Sequence, residues 1–182
     1  MTDTSLAVRR PRDVVAVVGP DARTYLQGQL SQDVEALEVG GSAETFLLQP
    51  AGKVDAWMRV SRLADDHFLL DVEEGFGPQV AARLTRFLLR TDCTVQEVQW
   101  DLVTVIDAEA SAFSPPIGGL ALAVEWPGLV SVGLLGPSVE LPGGLAERSS
   151  RSREPRHRAP VHPHMAPHPH PTPPPGPPRV GA

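Results

Sequence analysis

The sequence predicts an α+β fold, with helices packed on a largely antiparallel sheet, followed by a disordered tail. Three observations predict it. Strand-like and helix-like segments succeed one another as β-α-β-β-β-α-β-β, not as the strict alternation that builds a parallel sheet. Residues 53–61, KVDAWMRVS, alternate apolar and polar side chains, as a strand with one buried face does. The composition also breaks near Ala146. Residues 1–146 hold ten Lys+Arg and twenty Asp+Glu, a formal charge of −10, whereas residues 147–182 hold six Arg and two Glu, a charge of +4.

The elements follow in order. DVVAVV (13–18) is β-branched and bounded by Gly19-Pro20, which marks a strand feeding a helix over 20–33. Pro20 suits a first helical position, and Ala22, Tyr25, Leu26 and Leu30 form an apolar stripe along that helix. ETFLLQ (44–49) is the next strand, and Pro50-Ala51-Gly52 turns it into the alternating strand at 53–61. Its hairpin partner is HFLLDV (67–72). A second helix spans 76–90, with Phe76, Val80, Leu84, Phe87 and Leu88 facing inward and Arg83, Arg86 and Arg90 in its later turns. Strands follow at 94–98, 102–107, 120–125 and 129–134. Residues 1–11 are expected to be a flexible N-terminus and 12–146 the folded domain. The tail, 147–182, contains no Leu, Ile, Phe, Tyr or Trp and eleven of the twenty prolines, so it is expected to be disordered.

Charge and composition exclude several function classes. The acidic body argues against direct nucleic-acid binding and against an anionic membrane surface. No apolar run approaches 18 residues, so no membrane span is expected, and the first residues lack the apolar core of a secretory signal. A single cysteine, Cys93, excludes a disulfide framework within the chain and fits a cytoplasmic location. Gly19 stands without a dinucleotide or P-loop motif, and the one histidine of the body, His67, leaves a Ser-His-Asp triad little to work with. HPHMAPHPH, four histidines within nine residues, lies in a proline-rich stretch that offers no fixed metal geometry, so no metal site is expected.

Several stretches together carry a resemblance: VVAVVGPDARTYLQGQLSQDVEAL, LLQPAGKVDAWMRV, DDHFLLDVEEG and RFLLRTDCTVQEV. They resemble the N-terminal half of the YgfZ family, a relative of the glycine-cleavage T-protein (aminomethyltransferase). The likeness covers roughly residues 12–107 and thins toward Ala146. It implies a folate-binding fold of several domains around a central channel, with tetrahydrofolate as cofactor. It also implies a role in maintaining iron–sulfur enzymes and the tRNA modification that depends on them. Two departures stand out. Gly52-Lys53-Val54-Asp55-Ala56 matches a T-protein stretch in which the second acidic position is tied to folate chemistry, and here that position is Ala56. The Lys-Gly-Cys segment characteristic of YgfZ members has no counterpart, so the chain is expected to be a truncated or frameshifted form that binds folate weakly.

The expected folate-binding residues are Gln29, Asp33, Asp55, Trp57 and Arg59, with no catalytic residue. Gln29 and Asp33, four residues apart, interrupt the apolar stripe of the first helix. One reading has them serving the backbone at a helix end; the other has them meeting a pterin. Trp57 offers either a domain interface or a surface on which a ring stacks. Arg59 pairs either with the glutamate tail of folate or with a residue such as Asp55 or one on the opposite strand. The function expected is thus a folate-binding module serving iron–sulfur enzymes. The alternatives are a folate-dependent aminomethyltransferase, which Ala56 opposes, and a non-functional fragment.

Overall fold

The computed structural model describes residues 6–126, 128–140 and 146–149. The His-rich stretch and the rest of the tail beyond Ser149 lie outside the described residues. Among the described residues ten strands form two five-stranded sheets. The strands are β1 (Leu6–Arg10), β2 (Arg12–Val18), β3 (Ser42–Leu48), β4 (Val54–Ala64), β5 (His67–Glu73), β6 (Thr94–Val98), β7 (Asp101–Ile106), β8 (Leu120–Trp126), β9 (Leu129–Gly136) and β10 (Ala146–Ser149). Helix α1 (Ala22–Gln27) follows β2 and helix α2 (Gly77–Thr85) follows β5. Sheet I runs β3-β4-β5-β2-β6 and is antiparallel throughout; sheet II runs β10-β1-β7-β9-β8, with β1 and β10 parallel.

Helices on an antiparallel sheet are present as the sequence predicts, but a second sheet covers the other face. The run DVVAVV explains why. Val15 and Val17 point toward the helices, where they join Tyr25, Leu26, Met58, Phe68, Val80 and Leu84 in one core. Val14 and Ala16 point the other way and pack with Leu69 against Leu102, Leu120, Leu122 and Leu135 of sheet II. A strand apolar on both faces needs a cover on each. The far face of sheet II carries a third cluster of Ala7, Val103, Val105, Val132, Leu134 and Val139. The chain crosses between sheets at two places. Pro11 alone separates β1 from β2, and Gln99-Trp100 separates β6 from β7.

Leu6–Arg10, assigned above to a flexible N-terminus, is therefore a strand, paired residue for residue with β7. Ala146–Ser149 likewise forms a strand across the expected boundary at 146/147. The first helix is shorter than the predicted 20–33. After Gly28 the backbone leaves the helix to cover the open edge of β3: Leu48 N–H donates to the Gln29 carbonyl (3.1 Å) and Ser31 N–H to that of Phe46 (3.0 Å). An edge strand with unpaired backbone groups recruits such a cover. Leu30 and Val34 stay buried even so. The second helix also stops early. Val80 and Leu84 face the core as predicted, whereas Phe76 and Phe87 are partly exposed, and Arg83 stacks on the Phe87 ring at 3.9 Å.

Candidate functional site

Two recesses flank sheet I; of the five candidate residues Trp57 and Arg59 line one and Asp55 the other. The larger, about 590 Å³, lies between the sheets, with β3 and β4 on one side and β7 and β8 on the other. Trp57 and Arg59 of β4 line it, together with Arg12 of β2, Asp71 of β5, Thr104 of β7 and Leu122 of β8. Strand alternation puts Trp57 and Arg59 on the same face, as the pattern of residues 53–61 predicts. Trp57 is 64% exposed and is paired in register with Phe46 on β3, itself partly exposed.

The interior of this cleft is charged. Arg59 is 7% and Asp71 1% exposed, and the two face each other across β4 and β5. Arg59 Nε donates to Asp71 Oδ2 at 2.8 Å, and Arg12 Nε donates to Oδ1 at 3.0 Å. A second Arg12 nitrogen donates to the Asp71 main-chain carbonyl at 2.7 Å. Asp71 is thus the common acceptor of two guanidinium groups. Arg10 also lines the cleft, and its pKa is lowered by burial first and then by Arg12 and Arg59. Of the two partners weighed for Arg59 within the fold, an opposite-strand residue is the one found.

Asp55 is not in this cleft. The pairing of β3 with β4 slips between Leu47 and Leu48, leaving Asp55 unpaired in a bulge. A bulge re-aims a side chain, and this one turns Asp55 to the helix side, away from Trp57 and Arg59. There it accepts from Arg83 Nε (3.1 Å) and from the Gln49 amide (2.5 Å). Gln29 joins it: its side-chain oxygen accepts from Arg83 at 3.4 Å. Asp55 and Arg83 line the smaller recess, about 270 Å³, together with Ala56 and Val80. Asp33 belongs to neither recess. It is exposed, and its carboxylate accepts from the Ala36 N–H (3.3 Å). Its part is to close the turn after α1, the backbone-serving reading of that residue.

The sequence reading missed Arg12, Asp71 and Thr104. Asp71 carried a signal, a carboxylate within the apolar run HFLLDV. The other two carried none, since their place depends on the second sheet. Cys93 lies just before β6, and burial, then the Asp21 and Asp92 carboxylates, raise its pKa, so the thiolate is scarce. Among the described residues no His, Cys, Asp and Glu side chains gather to hold a metal, and no helix is long and apolar enough to cross a membrane.

The architecture superposes on the glycine cleavage system aminomethyltransferase T of Bartonella henselae with a TM-score of 0.62, covering 74% of this chain. The fold is aminomethyltransferase T-like. Sequence identity over that T-like fold is 18%, and the match takes in 42% of the Bartonella chain. Among curated proteins, an uncharacterized protein of Haemophilus influenzae is 28% identical over 102 residues, 56% of this chain and 36% of its own. An aminomethyltransferase of Lysinibacillus sphaericus is 40% identical over 58 residues, 32% of this chain and 16% of its own. The chain therefore spans well under half the length of these relatives. No family model matches it.

Proposed function

We propose that the chain is a folate-binding protein of YgfZ type, serving iron–sulfur enzymes and the tRNA modification linked to them, and that its ligand occupies the cleft between the sheets. The observation that carries the reading is the pairing, on a T-like fold, of an exposed aromatic wall with a buried guanidinium. A folate is an aromatic ring system joined to a carboxylate-bearing glutamate, so it needs both surfaces. Trp57 supplies a face for the ring, while Arg59 and Arg12 supply charge for the acid. A volume near 590 Å³ falls in the range of small-molecule sites. The cleft is open at the Trp57 end, and a ligand only partly enclosed binds weakly.

Tetrahydrofolate titrated into the full chain up to millimolar concentration, followed by calorimetry, tests this. Binding is expected, and Trp57→Ala should weaken it by about two- to tenfold, as the loss of one aromatic contact does. Because Trp57 is 64% exposed, that change should leave the melting temperature almost unmoved. A titration without heat at millimolar ligand would end the folate reading.

The 58-residue likeness to an aminomethyltransferase favours a second reading, folate-dependent aminomethyl transfer. Ala56 stands against it. It is 8% exposed and packs into the helix-side core, where it offers no carboxylate for proton transfer. Aminomethyl transfer by the purified chain would reverse this preference.

A further inference from the structure

The two arginines of β1 point in opposite directions. Alternation along the strand sends Arg9 to the far face of sheet II, where it pairs with Asp101 at 2.8 Å. Arg10 faces sheet I and lines the cleft. Its backbone is held twice over. It is paired in register with Leu102 of β7, and it precedes Pro11, which confines it to an extended conformation. Its side chain is not held. It is half-buried, and among the described residues it makes no hydrogen bond or ion pair.

The other two guanidinium groups of the cleft differ. Arg12 and Arg59 both donate to Asp71, and Arg59 is 7% exposed, so these two act on the cavity through their charge more than through free N–H groups. The charge balance leaves Arg10 without an acid of its own. Three arginines line the cleft against two acids, and one of those acids, Asp71, is shared by Arg12 and Arg59. The other, Glu44, is exposed and lies in register with Arg59. Burial, then Arg12 and Arg59, lower the pKa of Arg10 more than Asp71 and Glu44 raise it. A cation kept half out of water beside two others is held there at a cost, and an arriving anion removes that cost.

Trp57 stands on β4 and Arg12 on β2, two strands away in sheet I, so roughly 10 Å of sheet separates the ring from the crossover at Pro11 that carries Arg10. The benzoyl-glutamate arm of a folate is of that length. We infer that Arg10 is the residue that takes the ligand's acid: its guanidinium fork closes on a carboxylate of an acyl-glutamate whose aryl ring lies toward Trp57. Arg12 and Arg59 favour the same acid by charge alone. This rests on the cleft being the ligand site, and it adds the ligand's direction and the side chain that reads it.

The test uses the full chain and three probes titrated by calorimetry: 4-aminobenzoyl-glutamate, its diamide with both carboxylates replaced, and 6-methyltetrahydropterin. The wild-type chain should prefer the acid to the diamide on the order of tenfold or more, the worth of hydrogen bonds between charged groups. Arg10→Gln should erase most of that preference while its affinity for the pterin holds. Its melting temperature should hold or rise, because the Arg10 side chain has no partner within the fold to lose. Arg10→Lys keeps the charge but not the planar fork, so its preference should fall between the two. The preference is a ratio taken within one variant, so partial loss of folded protein does not alter it. An Arg10→Gln chain that prefers the acid as strongly as the wild type overturns the assignment. So does a wild-type chain that binds tetrahydrofolate but does not tell acid from diamide, an outcome that leaves the folate reading standing. Failure of tetrahydrofolate and all three probes to bind the wild type removes the two readings together.

Discussion

Asp71 sits among apolar neighbours, and each of its carboxylate oxygens accepts from a different arginine. Removing it would leave Arg59, 7% exposed, as a buried cation without a counter-charge. Asp71→Ala is therefore expected to destabilise the chain by about 3–5 kcal/mol, measured as a lowered urea midpoint. An unchanged midpoint would show that Arg59 reaches water. The residue scale is also where the sequence was least complete. Trp57 and Arg59 were legible, because strict alternation put both on the polar side of one strand. Asp71 was visible as a charge in an apolar run, but its partners were not. Gln29 stood out as a polar group on an apolar stripe and Asp55 as the first acid of the T-protein-like stretch; both accept from Arg83, whose third hydrogen bond goes to the Leu48 carbonyl at 2.9 Å.

Two bulges account for much of what strand pattern alone leaves open. Between β4 and β5 the register is Ala64 opposite His67 but Arg62 opposite Phe68, so Leu63 is skipped. Without that slip a hairpin turning at Asp65-Asp66 would put Val72, not Asp71, opposite Arg59. One extra residue decides whether the charges meet, and nothing in the residue types near Leu63 announces it. The helices pose the opposite case. Their core-facing residues were legible from periodicity, while their ends depend on tertiary hydrogen bonds. Tyr25 ties them together: its hydroxyl donates to the Leu84 carbonyl at 2.6 Å, and burial pushes its pKa up to about 12. In the unfolded chain a tyrosine ionises near pH 10, so above that pH the unfolded state loses its proton first. The stability contributed by protonated Tyr25 is complete below about pH 10 and is lost as pH rises toward 12. Urea midpoints between pH 9 and 12 should fall less steeply for Tyr25→Phe than for the wild type. Parallel curves would mean that Tyr25 ionises freely in the fold.

At the scale of the whole molecule the layers are helices, sheet I and sheet II, with one apolar cluster in each gap. Leu26 in the helix-side cluster and Leu69 in the cluster between the sheets are both fully buried. Leu26→Ala and Leu69→Ala should each destabilise by about 2–5 kcal/mol, but they should differ in function. Leu69 helps set the spacing of the two walls that enclose the cleft, so its truncation should also weaken ligand binding. Leu26 lies behind sheet I, so its truncation should leave binding at the wild-type level under conditions where the variant is folded. Chemical denaturation and calorimetry on the two variants separate these effects; equal losses of affinity would mean that the cleft is not held open from the sheet II side. The order of most elements was legible in the sequence, but the second sheet was not. Its first strand, Leu6–Arg10, contains two arginines and resembles a polar leader, and it becomes a strand only because β7 and β10, far along the chain, lie on either side of it.

That topology bears on how the chain comes off the ribosome. All five strands of sheet I lie within residues 12–98, so every partner it needs is present before most of sheet II has been made. The first strand to emerge, β1, belongs to the other sheet and has no neighbour until β7 appears at residue 101, and none on its second side until β10 at residue 146. At synthesis rates of roughly 5–20 residues per second, the wait between completion of the first sheet and of the second lasts several seconds. Through that interval a nascent chain carries a finished sheet with one apolar face bare, and an N-terminal strand with nothing to pair with.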